Sequence, residues 1–198
     1  VRGKILNCLK SEYDKIFKSE IITDLIKVLG CGVEVKNKNK EMVTFDLNLL
    51  RFSKVIICTD ADVDGFQIRT LILTMLYRLT PTLIETGRVF IAETPLYEIT
   101  CKKDTYFAYN DREKAEVLAQ LGDQKYTIQR SKGLGENDPE MMSLTTMNPA
   151  TRRLVRVDPA AAEATAEMFD ILLGDNLNGR KEYIAAHGAE YLEMVDLS

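Results

Sequence analysis

The chain is poor in residues on which several classes of protein depend. Its 198 residues include no tryptophan, one histidine and four cysteines. The cysteines are widely spaced and form no Cys-x-x-Cys pair, so the sequence indicates neither a zinc site nor a dense disulfide framework. The single histidine, His187, lies near the C-terminus, and the sequence predicts no Ser-His-Asp or Cys-His arrangement around it.

Long hydrophobic runs are also missing, which bears on where the protein works. No apolar stretch is long enough to span a bilayer, and the opening residues do not resemble a signal peptide. We therefore expect a cytoplasmic protein that does not bind a membrane, and the sparse use of cysteine fits a reducing compartment. Because the chain does not begin with methionine, we expect it to be a fragment of a longer protein.

The composition is ordinary for one globular domain with a small appendage. Hydrophobic residues make up 45% of the chain and charged residues 28%. The formal net charge of −4 argues against a uniformly basic nucleic-acid-binding protein. Local basic groups do occur, and three of them are Arg2 with Lys4, Arg130 with Lys132, and Arg152 with Arg153 and Arg156.

The most informative segment combines an apolar run with alternating acidic residues. Val55 to Cys58 is uncharged and rich in β-branched residues, which predicts a buried strand. Asp60, Asp62 and Asp64 follow at the carboxyl end of that strand, where open α/β sheets bind their ligands. Three adjacent carboxylates repel one another unless a cation neutralises them. Since oxygen ligands suit hard ions, the segment predicts a Mg²⁺ site.

Other interpretations of these aspartates compete with the metal site. A solvated turn is the default for a lone Asp-x-Asp, but here an apolar strand leads in and an amphipathic helical pattern leads out. An EF-hand is rejected because Leu71 occupies the twelfth position, where the motif needs glutamate. A phosphatase-like site with Asp60 as the nucleophile stays open.

Periodicity predicts helices separated by apolar strands, which is typical of a mainly parallel sheet flanked by helices. Residues 31–41 are interpreted as a polar loop, and residues 126–129 as the third strand of the sheet. The character of the sequence changes near Pro159, so we predict one α/β domain over residues 1–157 and a helical tail over residues 158–198. Further predicted elements are a helix between Ser19 and Gly30, a helix from Pro81 to before Gly87, a strand at 89–92, a hairpin at 97–109, and a helix capped by Asn110.

A second cluster, residues 130–136, follows the predicted third strand directly. Its sequence, RSKGLGE, places two glycines beside Arg130 and Lys132. Glycines allow the backbone to approach a ligand closely, and basic residues can meet a phosphate. The segment is not a Walker A loop, because the Gly-Lys-Ser/Thr ending is missing. Together with an acidic metal cluster, it points to cation-assisted chemistry on a phosphodiester.

These motifs, taken in order, resemble a known family. The chain is similar to the C-terminal half of the B subunit of bacterial type IIA DNA topoisomerases, that is, DNA gyrase and topoisomerase IV. The resemblance covers nearly the whole chain. It depends on the sequences RGKILN (2–7), TDADVDG (59–65), IRTL (68–71), PLY (95–97), QRSKGLGE (129–136) and MNP (147–149).

The resemblance implies a TOPRIM domain, a Rossmann-like α/β fold that binds Mg²⁺. In that family the first two aspartates hold the metal with a glutamate from an earlier strand, so Asp60 and Asp62 carry over and Asp64 completes the set. Lys4 and Asn7 carry over as DNA-proximal. The residues expected to bind DNA are Arg2, Lys4, Asn7, Arg69, Arg130 and Lys132.

The implied activity is DNA cleavage and religation within an ATP-dependent topoisomerase, an isomerase. A tyrosine of a partner A subunit attacks a backbone phosphate of double-stranded DNA in an A2B2 assembly, and ATP binds a separate N-terminal domain. The metal-binding glutamate is expected before Val1, so the fragment alone should be inactive. Another TOPRIM enzyme, of the primase or nuclease type, and an Mg²⁺-dependent phosphohydrolase stay open. So does a divergent paralogue, because Phe66, Gln67 and Ser131 depart from the usual gyrase residues.

Overall fold

The computed structural model describes the backbone of residues 1–37, 40–131, 133–159 and 162–194. Within these ranges the chain divides into two compact units. The first unit comprises Val1–Val55, Gln67–Val89 and Arg156–Ser198, and the second comprises Ile56–Phe66 and Phe90–Val155. The predicted boundary between residues 157 and 158 stays a prediction.

The first unit is built mainly of helices. Its elements are α1 (Tyr13–Ile16), α2 (Glu20–Leu29), the strands β1 (Glu34–Asn37) and β2 (Lys40–Val43), most of α3 (Val63–Leu79), α4 (Pro81–Glu85), α7 (Ala162–Leu173) and α8 (Leu177–His187). Apolar side chains from these helices are at most 1% exposed and form the core, and they include Ile16, Ile22, Leu76, Leu79 and Leu83. Burying such side chains is the main driving force for packing these helices.

The helix predicted between Ser19 and Gly30 is confirmed. The backbone of α2 begins after Ser19 and ends at Gly30, which has a φ of 79°. A left-handed residue of this kind is the usual end of a helix, because its N–H can turn back to a carbonyl of the last turn. The Gly30 N–H donates to the Ile26 carbonyl at 3.0 Å.

The polar loop predicted for residues 31–41 is wrong. Strands β1 and β2 pair antiparallel here, with Glu34 opposite Val43 and Asn37 opposite Lys40. Val33 and Val35 are each 5% exposed and flank the half-buried Glu34, so the segment alternates as a strand does. The lysine and asparagine content hid this alternation. Residues 38 and 39 lie outside the described residues.

The second unit holds two small sheets and one longer helix. Most of the sheet ordered β3 (Val55–Ile57), β4 (Val89–Glu93) and β8 (Arg153–Arg156) lies in it, together with the sheet ordered β6 (Asp104–Ala108), β5 (Tyr97–Cys101) and β7 (Thr127–Arg130). Helix α5 (Asp111–Leu121), helix α6 (Pro139–Met142) and a π-helical turn (Ser143–Met147) complete it. A local core forms from Tyr97, Ile99, Cys101, Ala108 and Leu121.

The predicted hairpin and third strand are confirmed in position. β5 pairs antiparallel with β6, and Cys101 lies opposite Asp104 across the turn. β7 also pairs antiparallel with β5, with Tyr97 opposite Arg130. The third strand therefore extends the hairpin sheet, whereas β3 and β4 are neighbours joined through helices α3 and α4.

No helix among the described residues is both long and apolar enough to cross a membrane.

Candidate metal and DNA-binding site

The aspartate loop (residues 59–65) has a shape that requires glycine at its end. Gly65 is buried in the first turn of α3. A Cβ atom there would lie 2.8 Å from the carbonyl carbon of Asp60 and closer still to its oxygen. Because real Cβ atoms do not approach backbone this closely, any side chain would push the two ends of the loop apart.

Asp62 links the loop to the start of helix α3. Its Oδ1 accepts the Gly65 N–H at 2.7 Å, and its carbonyl accepts the Phe66 N–H at 2.9 Å. This is the geometry of a helix N-cap, in which a side-chain oxygen satisfies a free N–H of the first turn. The carboxylate also interacts favourably with the positive end of the helix.

Asp60 connects the loop to residues 130–136, which we call the glycine-rich segment. The Leu134 N–H donates to Asp60 Oδ1 at 2.7 Å. A Cβ atom on Gly133 would lie 3.6 Å from the same carboxylate, so the backbone of the segment passes close beside it. The second unit therefore brings together the two clusters that the sequence singled out. Lys132 lies outside the described residues.

The donor chemistry of the loop fits part of a magnesium site. Asp60 and Asp62 are half-buried and Asp64 is exposed. One hydrogen bond to Oδ1 leaves each of the first two carboxylates a second oxygen for a cation, and hard oxygen donors suit Mg²⁺. Among the described residues, however, no three His, Cys, Asp or Glu side chains lie close enough to hold one ion. The three-aspartate ligand set stays a prediction.

The predicted DNA-binding residues lie in both units. Arg2 and Lys4 are exposed near the start of the first unit, and Arg69 is half-buried on α3. Arg130 is exposed at the end of β7 in the second unit. These positions do not test whether the residues bind DNA, so their assignment as DNA-binding residues stays a prediction.

Asn7, also predicted as DNA-proximal, is bonded within the chain itself. Its Nδ2 donates to the Leu173 carbonyl at 3.2 Å, and its Oδ1 accepts the Leu9 N–H at 2.9 Å. The Asn7 side chain therefore joins the start of the chain to the end of α7. Its role in the structure differs from that of Arg2 and Lys4, whose side chains are exposed.

Lys4 and Asn7 do share one cleft in the first unit. The cleft has a volume of about 430 Å³, and its polar lining includes Lys4, Asn7, Lys10, Gln67 and Arg180. Lys10 and Arg180 were missed by sequence reasoning. No periodic pattern or motif links Arg180 to the start of the chain, because Arg180 lies on α8 near the other end of the sequence.

Arg78 holds the backbone that follows Asn7. Its Nη1 donates to the carbonyls of Leu9 at 2.9 Å and Ser11 at 2.8 Å, and it also contacts the Cys8 carbonyl. Burial raises the pKa of the Cys8 thiol to about 11, and the nearby Arg78 charge opposes that shift. Cys8 is therefore a neutral core residue and not a reactive thiolate near neutral pH.

With this geometry in place, two family descriptions match the chain. The Toprim domain matches residues 1–94, and the carboxyl terminus of the DNA gyrase B subunit matches residues 123–185. The first match defines the class: an α/β Toprim domain, a class of metal-binding domain, as the sequence predicted.

Individual relatives agree with both matches. The DNA gyrase B subunit of Thermotoga maritima is 43% identical over 98% of this chain and 29% of its own length. The DNA gyrase B subunits of Clostridium acetobutylicum, 44% identical over 98% of the chain, and Halalkalibacterium halodurans, 43% identical over 100%, are each covered over 30% of their length. The chain therefore combines a Toprim match with a match to the DNA gyrase B carboxyl terminus. It is similar to DNA gyrase B subunits over nearly its whole length, and it spans about a third of the length of these relatives.

Proposed function

We propose that this chain is the Mg²⁺-binding DNA cleavage and religation region of a type IIA topoisomerase B subunit. In the proposal it works with an A subunit, in an A2B2 assembly, that supplies the tyrosine attacking the DNA backbone. ATP binding belongs to the part of the protein that this chain does not span. The observation that supports this most directly is the bond from the Leu134 N–H to Asp60, which joins the aspartate loop to the glycine-rich segment.

Asp60 and Asp62 are the proposed first ligands of the ion, with Asp64 beside them. Asp60 is oriented by the Leu134 N–H, and Asp62 by its bond to the Gly65 N–H. Ligands held in this way need little rearrangement when a cation binds. A bound Mg²⁺ would stabilise negative charge on the attacked phosphate and on the departing 3′ oxygen.

The proposed DNA contacts are electrostatic. Exposed Arg2, Lys4 and Arg130 can reach backbone phosphates, which fix the position of DNA without reading its sequence. Arg69 and Lys132 complete the proposed set of contacts. Asn7 is proposed as DNA-proximal only, because its amide is bonded within the chain. Because such contacts release counterions, DNA binding should weaken steeply as salt rises.

The test is a substitution of Asp60 in the complete protein, assembled with its A subunit. Asp60→Asn keeps the shape of the side chain and removes its charge, so Mg²⁺-dependent DNA cleavage should fall by about 100-fold. DNA affinity should change little, and higher Mg²⁺ should restore part of the activity. Asp123→Asn, which changes an exposed aspartate just beyond the end of α5, is the matched control and should cleave like the unmodified protein.

Two results would contradict the proposal. Unchanged DNA cleavage by Asp60→Asn would remove the aspartate loop from the reaction. Turnover of p-nitrophenyl phosphate by the chain alone with Mg²⁺, abolished by Asp60→Asn, would favour a phosphohydrolase with Asp60 as its nucleophile. Primer synthesis or DNA hydrolysis without an A subunit would favour the other Toprim enzyme classes.

A further inference from the structure

The start of the chain is bonded to the junction between α7 and α8 in the first unit. We call residues 2–11 the N-terminal segment and residues 171–176 the tail junction. Asn7 Nδ2 donates to the Leu173 carbonyl at 3.2 Å, and Lys10 Nζ lies 2.9 Å from Asp175 Oδ1. The N-terminal segment carries Lys4, so these bonds hold the backbone from which a proposed DNA contact projects.

Arg180 fixes the tail junction from the other side. Its Nη2 donates to the Gly174 carbonyl at 2.7 Å, and its Nε donates to the Ile171 carbonyl at 3.3 Å. The last carbonyls of a helix have no partner within the helix, and a cation there also interacts favourably with the helix dipole. The planar guanidinium can hold two carbonyls at once, which an ammonium cannot do in the same geometry.

The junction has little room to change shape. Gly174 is buried, and a Cβ atom there would lie 2.6 Å from Asp170 Oδ1 and closer still to the Asp170 carbonyl oxygen. Asn176 then caps α8, because its Oδ1 accepts the Gly179 N–H at 2.9 Å. The Leu173 carbonyl therefore occupies a well-defined position between two anchored helix ends.

The side-chain amide of Asn7 makes hydrogen bonds through both its nitrogen and its oxygen. Its bonds to the Leu173 carbonyl and the Leu9 N–H use the oxygen and one N–H of the side chain. This side chain therefore orients the N-terminal segment. Lys4, Asn7, Lys10 and Arg180 all line the same cleft of about 430 Å³, so the arrangement acts directly on the surroundings of Lys4.

We propose that Arg180 is a positioning residue for DNA binding, acting through the Leu173 carbonyl and Asn7 on the N-terminal segment. This inference rests on the proposed function. It assigns to α8 a role in how the first unit holds DNA, without direct contact between Arg180 and a phosphate.

The experiment compares Arg180→Ala with Lys181→Ala in the complete protein assembled with its A subunit. Both variants lose one cation from α8, and Lys181 is exposed. We expect Arg180→Ala to raise the DNA concentration for half-maximal cleavage by about tenfold, with a smaller effect on the maximal rate, and Lys181→Ala to leave both unchanged. Equal effects of the two variants would overturn the inference.

Salt dependence separates positioning from direct contact. Loss of one phosphate contact lowers the slope of log affinity against log salt by about 1. Arg180→Ala should weaken binding at every salt concentration without changing this slope, whereas Lys4→Ala should lower it. A reduced slope for Arg180→Ala would make Arg180 a phosphate ligand and would overturn the positioning role.

A double-mutant cycle tests the route through Asn7. If Arg180 acts through Asn7, Arg180→Ala should cost about tenfold in the unmodified protein but no more than about twofold in an Asn7→Ala background. The same tenfold loss in both backgrounds would contradict the inference.

Further variants keep the result interpretable. If Arg180→Ala does not fold, Arg180→Lys decides. It keeps the charge but loses the simultaneous hold on the Ile171 and Gly174 carbonyls, so it should still raise the DNA concentration for half-maximal cleavage, and an unchanged value would overturn the inference. Asp60→Asn is assayed in parallel. Its unchanged activity would reject the proposed function itself, whereas loss with Asp60→Asn and none with Arg180→Ala would reject only the role of Arg180.

Discussion

The aspartate loop and the N-terminal segment both carry proposed site residues, yet they are held in different ways. The loop is shaped by its own residues, because Gly65 lies against the Asp60 backbone and Asp62 caps α3. The N-terminal segment is held by distant groups: the guanidinium of Arg78 and the carbonyl of Leu173, which is 166 residues from Asn7. A local steric requirement restricts the type of residue and can therefore be recognised in the sequence. A bond from a distant residue to a backbone carbonyl does not restrict the type of the residue that carries the carbonyl.

The largest effect should come from Gly65→Ala, which tests the local half of this comparison. The added Cβ would overlap the Asp60 carbonyl group, and the overlap can be relieved only by moving the backbone. We expect the free energy of unfolding to fall by about 3 kcal/mol, measured by urea denaturation.

The matched control is Gly135→Ala in the glycine-rich segment. A Cβ atom there would meet none of the described atoms within 4 Å, so the change should stay within about 0.5 kcal/mol. A similar cost for both substitutions would mean that the close approach at Gly65 does not determine the shape of the loop.

A smaller effect is expected from Arg78→Met, which tests the long-range half. Methionine keeps much of the apolar stem but removes the donors to the carbonyls of Cys8, Leu9 and Ser11. Leaving part-buried carbonyls without these donors should lower the free energy of unfolding by about 2 kcal/mol.

Arg112→Met provides the comparison for Arg78→Met. Arg112 is 89% exposed and pairs with Glu116 one turn along α5, and such surface pairs contribute about 0.5 kcal/mol or less. If Arg78→Met were as mild as Arg112→Met, the N-terminal segment would not depend on the distant guanidinium.

The same distinction explains how much could be predicted from the sequence. The strand before Asp60, the helix after it, the ends of α2 and the hairpin of β5 and β6 were predicted correctly, because caps, turns and periodicity act over a few residues. Strands β1 and β2 were missed because lysine and asparagine masked the alternation of Val33 and Val35. β8 was missed because both of its ends are arginines.

Within the candidate site, the aspartates and the glycine-rich segment were found from residue type, but their contact was not. The bond from the Leu134 N–H to Asp60 spans 74 residues and uses a backbone donor, which every residue except proline carries. Lys10 and Arg180 were missed for a related reason, since their partners are a single carboxylate and two backbone carbonyls. Such pairings depend on the tertiary fold and have no local pattern.

The smallest effect should come from Asn110→Ala. This substitution tests whether a residue that fits the N-cap pattern stabilises a helix only when its side chain makes the capping hydrogen bond. Asn110 and Ser19 both precede a helix and both fit the N-cap pattern. Asn110 Oδ1 accepts the Glu113 N–H at 2.8 Å, whereas among the described residues the Ser19 side chain makes no capping bond. Asn110→Ala should therefore lower the free energy of unfolding by about 1 kcal/mol, and Ser19→Ala should change it by no more than about 0.5 kcal/mol. Urea denaturation of the two variants measures the difference. Equal losses of unfolding free energy would show that the residue type at an N-cap predicts stability as well as the observed hydrogen bond does. The difference drawn above between the aspartate loop and the N-terminal segment would then be weaker.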